Sequence, residues 1–206
     1  MRDELIWLRY AFVGLALALA AIAVPAAVAE SLRAAAGPDA SPALLHVEAE
    51  LGWLRGDLWG AYALAGAARP DADKAAAREA FRSAAQGALA LAPYQPRLWL
   101  RLAENERENS DATTHFDAVL KMAYDTAPAD DPGMADRLEM ALSGIGAPDE
   151  ELDEFARGDV RAMIGHDRLN QLSTVYARLG GGGRRFIERA VEATRPELVP
   201  RLATPE

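Results

Sequence analysis

Residues able to carry chemistry are few and scattered along this chain. The only imidazoles are His46, His115 and His166, and none has a second histidine at the i+4 spacing that lets two ligands on one helix face share a metal. There is no cysteine, which excludes thiol catalysis, thiolate metal sites and disulfides. No G-x-S-x-G or H-E-x-x-H sequence occurs, and Asp71-Ala-Asp73 lacks the glycine and closing glutamate of a calcium loop. Asp149, Glu150, Glu151, Asp153 and Glu154 form the densest acidic group. Nearly consecutive at a helix start, they point around the cylinder and favour its macrodipole, which accounts for them without a cation. Gly180–Gly183 are followed by Arg184-Arg185 and follow a helical pattern. They lack the strand and the Lys-Ser or Lys-Thr of a phosphate loop, and read as a helix C-cap and hinge. Arg157-Gly158-Asp159 is a tripeptide expected by chance. Carboxylate pairs meet only in three dimensions, and 31 acidic residues single out none. The sequence therefore assigns no catalytic group, no metal ligand and no cofactor, and the chain is expected not to be an enzyme.

The elements that would carry any site begin with Ala11–Ala29, AFVGLALALAAIAVPAAVA, an unbroken run of uncharged residues. About 20 apolar residues cross a hydrocarbon core as a helix, and a signal-peptide core needs only about 7–15. Arg2 and Arg9 precede the run and place the N-terminus on the cytoplasmic side, against the weakening charges of Asp3 and Glu4. Pro25 and the small-x-small triplet Ala27-Val28-Ala29 fit cleavage before Glu30. The upstream Leu5, Ile6, Trp7 and Leu8, with Trp7 and Tyr10 as interfacial anchors, fit a retained helix. Both readings stand. Residues 1–29 are thus a signal peptide or transmembrane anchor, residues 30–43 a linker containing Gly37, Pro38, Asp39, Ser41 and Pro42, and residues 44–206 the domain beyond. Its expected location is the inner membrane with a periplasmic domain, or the periplasm if the segment is cleaved after Ala29.

Arg2 and Arg9 cancel Asp3 and Glu4, so the remainder carries the whole formal net charge of -9. Nucleic-acid binding draws most of its affinity from Lys and Arg against phosphate, so no nucleic-acid partner is expected. Lys74 and Lys121 are the only lysines, a compositional bias that accompanies the many alanines.

From Leu44 onward apolar residues recur at three-and-four spacing between short Gly, Pro or Asp interruptions, and β-branched residues are scarce. This predicts an all-α domain. A first helix runs from Ala43 into the sixties through Leu51, Leu54, Leu58 and Tyr62. Asp71 caps the next, with Phe81, Ala85 and Ala88 on its stripe, and Arg97–Asn109 follows with Leu98, Trp99, Leu102 and Ala103 on its apolar side. Asp111 caps a helix carrying Phe116, Val119, Leu120 and Ala123, which Pro128 ends. Further helices cover Pro132–Leu142, the stretch from Asp149 through Met163, Leu169–Leu179, and a last one with Phe186, Ile187, Ala190 and Val191.

Phe81, Ala88, Ala92 and Pro93 return as Phe116, Ala123, Ala127 and Pro128, each 35 positions later, close to a repeat period of about 34. The stretch from Arg97 to Pro128 resembles a tetratricopeptide repeat. Trp99 stands at the aromatic position of the first helix, Leu102-Ala103 at the Leu-Gly pair, and Phe116, Leu120, Ala123 and Pro128 at the second-helix positions. Glu106 departs from the family's tyrosine. The resemblance implies antiparallel helix pairs in a short right-handed array, behind the N-terminal hydrophobic helix. It also implies a groove lined by first helices that receives another envelope protein or a peptide segment. On Arg97–Asn109 the groove stripe would be Arg97, Arg101, Glu104 and Glu108, with the arginines holding partner carboxylates. The expected function is a non-enzymatic scaffold of the bacterial cell envelope, tethered to the membrane through residues 1–29 or periplasmic. Alternatives are a periplasmic carbohydrate-binding protein or hydrolase, and a helical bundle that self-associates through Trp53 and Trp59.

Overall fold

The computed structural model describes residues 2–36, 41–52, 55–67, 74–108, 113–127, 132–143 and 149–203. Trp53, Leu54, Pro70, Asp71, Asp111, Pro128 and Asp131, and Gly37–Ala40 of the expected linker, lie outside the described residues. The described residues form ten α-helices and one 3₁₀ helix, with no strand among them, as the Ala, Leu, Arg and Glu content dictates. The chain divides into two compact units, Met1–Ala92 and Pro93–Glu206.

In the first unit, α1 (Arg2–Ala36) is 35 residues long with Pro25 inside it, about 52 Å at the usual rise. It does not stop at Ala29. Glu30, Leu32, Arg33 and three alanines are good helix formers, and the Ser31 hydroxyl donates to the Ala27 carbonyl at 2.8 Å. α2 (Pro42–Leu51) starts with Ser41 as N-cap, its hydroxyl accepting from the Leu44 amide, and Pro42 in the first turn. The expected long helix is broken here: α2 ends at Gly52, and α3 (Gly56–Ala67) begins after a turn closed by the Arg55 amide on the Gly52 carbonyl. Close packing explains both glycines. A Cβ at Gly52 would fall 2.4 Å from the Leu58 side chain, and one at Gly56 would fall 2.6 Å from the Ala88 carbonyl of α4 (Lys74–Leu91). α4 buries Phe81, Ala85, Ala88 and Leu89 on one face and packs on α3. Ala29 of α1, Ala49 of α2 and Leu58 of α3 form a small core, with Leu51, Trp59 and Tyr62 against it.

The second unit opens with α5 (Pro96–Arg107), which packs on α6 (Thr113–Thr126). Leu98, Leu102 and Ala103 of α5 and Phe116, Val119, Leu120 and Ala123 of α6 are all buried, on the stripes read from the sequence. Trp99 is half-buried, its indole donating to the Pro93 carbonyl at 2.8 Å. α7 (Met134–Leu142) begins two residues after the expected Pro132, with Gly133 as N-cap. α8 (Glu150–Gly165) starts at the expected cap, the Asp149 carboxylate accepting from the Glu151 and Leu152 amides at 3.0 Å. It ends in a Schellman turn: Arg168 donates to the Met163 carbonyl, Asp167 to the Ile164 carbonyl, and Asp167 takes a left-handed φ of 56°.

α9 (Leu169–Arg178) is followed directly by α10 (Gly181–Thr194). The glycine run therefore starts a helix instead of forming a hinge: Gly180 is its N-cap and Gly181–Gly183 its first turn. Gly183 is buried, and a Cβ there would lie 2.9 Å from the Leu142 carbonyl. A 3₁₀ helix, Pro196–Ala203, closes the unit. Its Leu202 joins one core with Met134 and Leu138 of α7, Val160 and Met163 of α8, Leu172 and Val175 of α9, and Ile187 and Val191 of α10.

Candidate functional site

α5 is strongly two-sided. One buried face carries Leu98, Leu102 and Ala103, its third turn also buries Asn105 and Glu106, and Leu100 is buried on the other side. The opposite side presents Arg101 and Glu104, which form an ion pair one turn apart. These two side chains line a cleft of about 250 Å³ that α5 forms with α7 and α9. Arg107 joins them from α5, Asp136 and Glu139 come from α7, Arg178 comes from α9, and Leu100 and Met140 supply the apolar part of its wall. Arg178 donates to Glu139 at 3.1 Å. Among the described residues Arg107 and Asp136 have no ion pair, which leaves one cation and one anion facing the same space.

Of the four residues expected on this stripe, the structure brings Arg101 and Glu104 to the cleft. Arg97 is exposed and does not line it. Glu108 is exposed at the C-cap, its amide donating to the Glu104 carbonyl. Arg107 follows Glu104 by three positions and was legible as a neighbour on the helix surface. Asp136, Glu139 and Arg178 reach the cleft only through tertiary packing, and nothing in their local sequence marks them.

A second polar cluster is buried among α6, α7 and α8. Arg137 donates to both Asp159 oxygens, at 2.7 and 3.0 Å, and its guanidinium lies 4.6 Å from the centre of the Tyr124 ring. Tyr124 stacks on Phe155 with centroids 5.0 Å apart. Burial, then the Asp159 carboxylate, pushes the Tyr124 phenol well above its ordinary range. An arginine does not give up its proton, and the carboxylate is held in a two-pronged grip, so this cluster clamps three helices and presents no reactive group. Asp159 belongs to Arg157-Gly158-Asp159, of which it alone is buried while Arg157 is exposed.

Asp149, Glu151, Asp153 and Glu154 of the acidic run at the start of α8 are paired with basic side chains. Lys121 of α6 binds Asp149 at 2.8 Å and Glu151 at 2.7 Å, which holds its ammonium above the usual range and Asp149 below it. Glu154 binds Arg161 and Arg157. No group of three or more His, Asp or Glu that would hold a metal occurs among the described residues. His46 does have a carboxylate one turn on, since its Nε2 lies 3.9 Å from Glu50. Its ring also packs on Tyr62, with centroids 4.8 Å apart, and Trp59 lies edge-on to both rings. Glu48 is the most unusual acid of the first unit. It is 1% exposed, and both its carboxyl oxygens are buried without a hydrogen-bond partner, a placement that nothing in its local sequence marks.

The remaining distinctive surface is α1. The most apolar 18 residues within Tyr10–Ala34 have a mean hydropathy of 2.4, and none of them is buried. Phe12, Leu15, Leu17, Leu19 and Val24 are each more than half exposed. By length and composition this helix is able to cross a membrane or to serve as a signal sequence. No protein-family model, curated protein or solved structure significantly matches this chain.

Proposed function

We propose that this chain is a non-enzymatic scaffold of the bacterial cell envelope, brought to the membrane by α1, whose second unit binds another envelope protein or a peptide segment. In this reading α5 and α6 are an antiparallel, tetratricopeptide-like pair, and the groove face of α5 is the receiving surface. The observation that carries the proposal is the open cleft of α5, α7 and α9. Its lining mixes three arginines with three carboxylates over apolar Leu100 and Met140. Such a surface fits a polypeptide bearing both charge signs better than a polyanion, which the carboxylates would repel.

The test compares the tagged full-length chain with its Arg101→Glu/Arg107→Glu variant in recovery from detergent-solubilised membranes of the native host. Helix content is checked by circular dichroism. Reversing two guanidiniums at a contact surface should reduce recovery of a stoichiometric partner by about tenfold or more. Equal recovery by a folded variant rules out this cleft.

A further inference from the structure

We propose that α1 is a retained membrane anchor rather than a removed leader: its stretch from Tyr10 to Val28 is an interface with lipid, and its last two turns are a structural part of the first unit. The inference rests on the membrane reading of α1 given above.

The bond that the small-x-small triplet offers for cleavage joins Ala29 to Glu30, and both sides of it are engaged. On the N-terminal side Ala29 has no accessible surface and packs with Ala49 and Leu58. On the C-terminal side the Glu30 carboxylate accepts from Arg55 at 2.5 Å, and Arg33 donates to Asp57 at 3.2 Å. Arg55 also grips Asp57 with two donors, at 2.6 and 3.1 Å. Glu30, Arg55, Asp57 and Arg33 therefore form one chain of alternating charge that ties α1 to the start of α3. The helix runs unbroken across the bond, and Ser31 bridges it by donating to Ala27. Removing residues 1–29 would delete Ala29 from the core it shares with Ala49 and Leu58, and would place a new ammonium beside Arg55.

Upstream of this joint the surface has one fitting occupant. Tyr10, Phe12, Val13, Leu15, Leu17, Leu19, Ile22 and Val24 are 46–69% exposed, and no polar stripe interrupts them. A protein partner is met by an apolar stripe with a charged reverse side, whereas apolar side chains all around a helix fit hydrocarbon. The uncharged stretch Tyr10–Ala29 is about 30 Å long at the helical rise, the thickness of a bilayer's hydrocarbon core. Glu30, ion-paired with Arg55, follows at once.

The experiment uses the full chain with a C-terminal tag, expressed in a Gram-negative host. Membranes are washed with alkaline carbonate, and the intact mass of the tagged chain is measured in each fraction. Retention predicts the mass of all 206 residues in the carbonate-resistant pellet. A chain beginning at Glu30 in the periplasmic fraction overturns retention and leaves export standing. A full-length chain in the soluble fraction overturns the membrane reading itself. Because the chain has no cysteine, Leu19→Cys gives a second readout. It should resist a membrane-impermeant maleimide in intact membranes and react once the membranes are dissolved in SDS; reaction before dissolution overturns the lipid interface.

Discussion

The Arg137–Asp159 pair concentrates the electrostatic stake of the second unit in two side chains. Arg137 is 3% and Asp159 5% exposed, so neither charge is rescued by water when the other is removed. Breaking a buried pair by truncating one partner costs about 3–5 kcal/mol, whereas replacing both by apolar residues of similar volume costs far less. Arg137→Ala should therefore destabilise the second unit by about 3–5 kcal/mol, and Arg137→Met combined with Asp159→Leu by less than the single change. Urea unfolding followed by circular dichroism reads both, and equal losses would mean that packing against Tyr124 outweighs the charge. Single residues were legible in the sequence only where local spacing decides their place. Phe116, Leu120 and Ala123 repeat on one stripe and are buried, but Glu48, Arg137 and Asp159 are polar residues whose burial depends on neighbours far along the chain.

The glycines give the sharpest case at the scale of elements. A run of four reads as a break, because glycine lowers helix propensity, yet Gly181–Gly183 open α10. The reason is steric at one position: Gly183 meets the Leu142 carbonyl and the Leu179 side chain, while Gly182 has nothing within 4 Å of an added Cβ. Gly183→Ala should destabilise by about 1–3 kcal/mol through overpacking, and Gly182→Ala should stabilise by about 0.5–1 kcal/mol through propensity. Thermal melting of the two variants distinguishes them by opposite shifts. The same logic applies to the broken first helix, where Gly52 and Gly56 weaken helix propensity visibly in the sequence but their close contacts with Leu58 and Ala88 do not show there. Helix existence was legible almost throughout, from Asp149 capping α8 to the apolar stripe of α6, since period and caps are local. The 3₁₀ helix at Pro196–Ala203 went unread because its two prolines suppress an α signal.

At the scale of the whole molecule, several surface pairs act together on acid stability. Asp57 is held below its ordinary range chiefly by the hydrogen bond from Arg55, Asp149 by Lys121, Glu154 by Arg161 and Glu197 by Arg195. A carboxyl depressed in the folded state stabilises it above the unfolded value of about 4, and that contribution is lost as pH falls through the folded value. Asp117 is pushed upward by burial and then by the Asp149 carboxylate, so its protonation works the other way, one group against four. The melting temperature should fall between about pH 5 and pH 3, and calorimetry across that interval checks it; a flat or rising profile would mean that Asp117 dominates. The candidate cleft was half legible for a related reason. Arg101 and Glu104 share a helix face, but α7 and α9 join them from 35 to 77 positions downstream of Arg101, a juxtaposition that no local pattern encodes.

The unbroken run of α1 through Ala29 to Ala36, where it packs on α2 and α3, has a mechanical consequence. A helix locked at Ala29, Glu30 and Arg33 transmits torque: inserting one residue between Pro25 and Ala29 would turn everything upstream by about 100° and lift it about 1.5 Å against the first unit. Pro25 is the weak point of this shaft, because it has no amide to give the Ala21 carbonyl. Tilt of the upstream segment is thus absorbed four residues before the lock, and the first unit keeps its heading while the upstream segment leans.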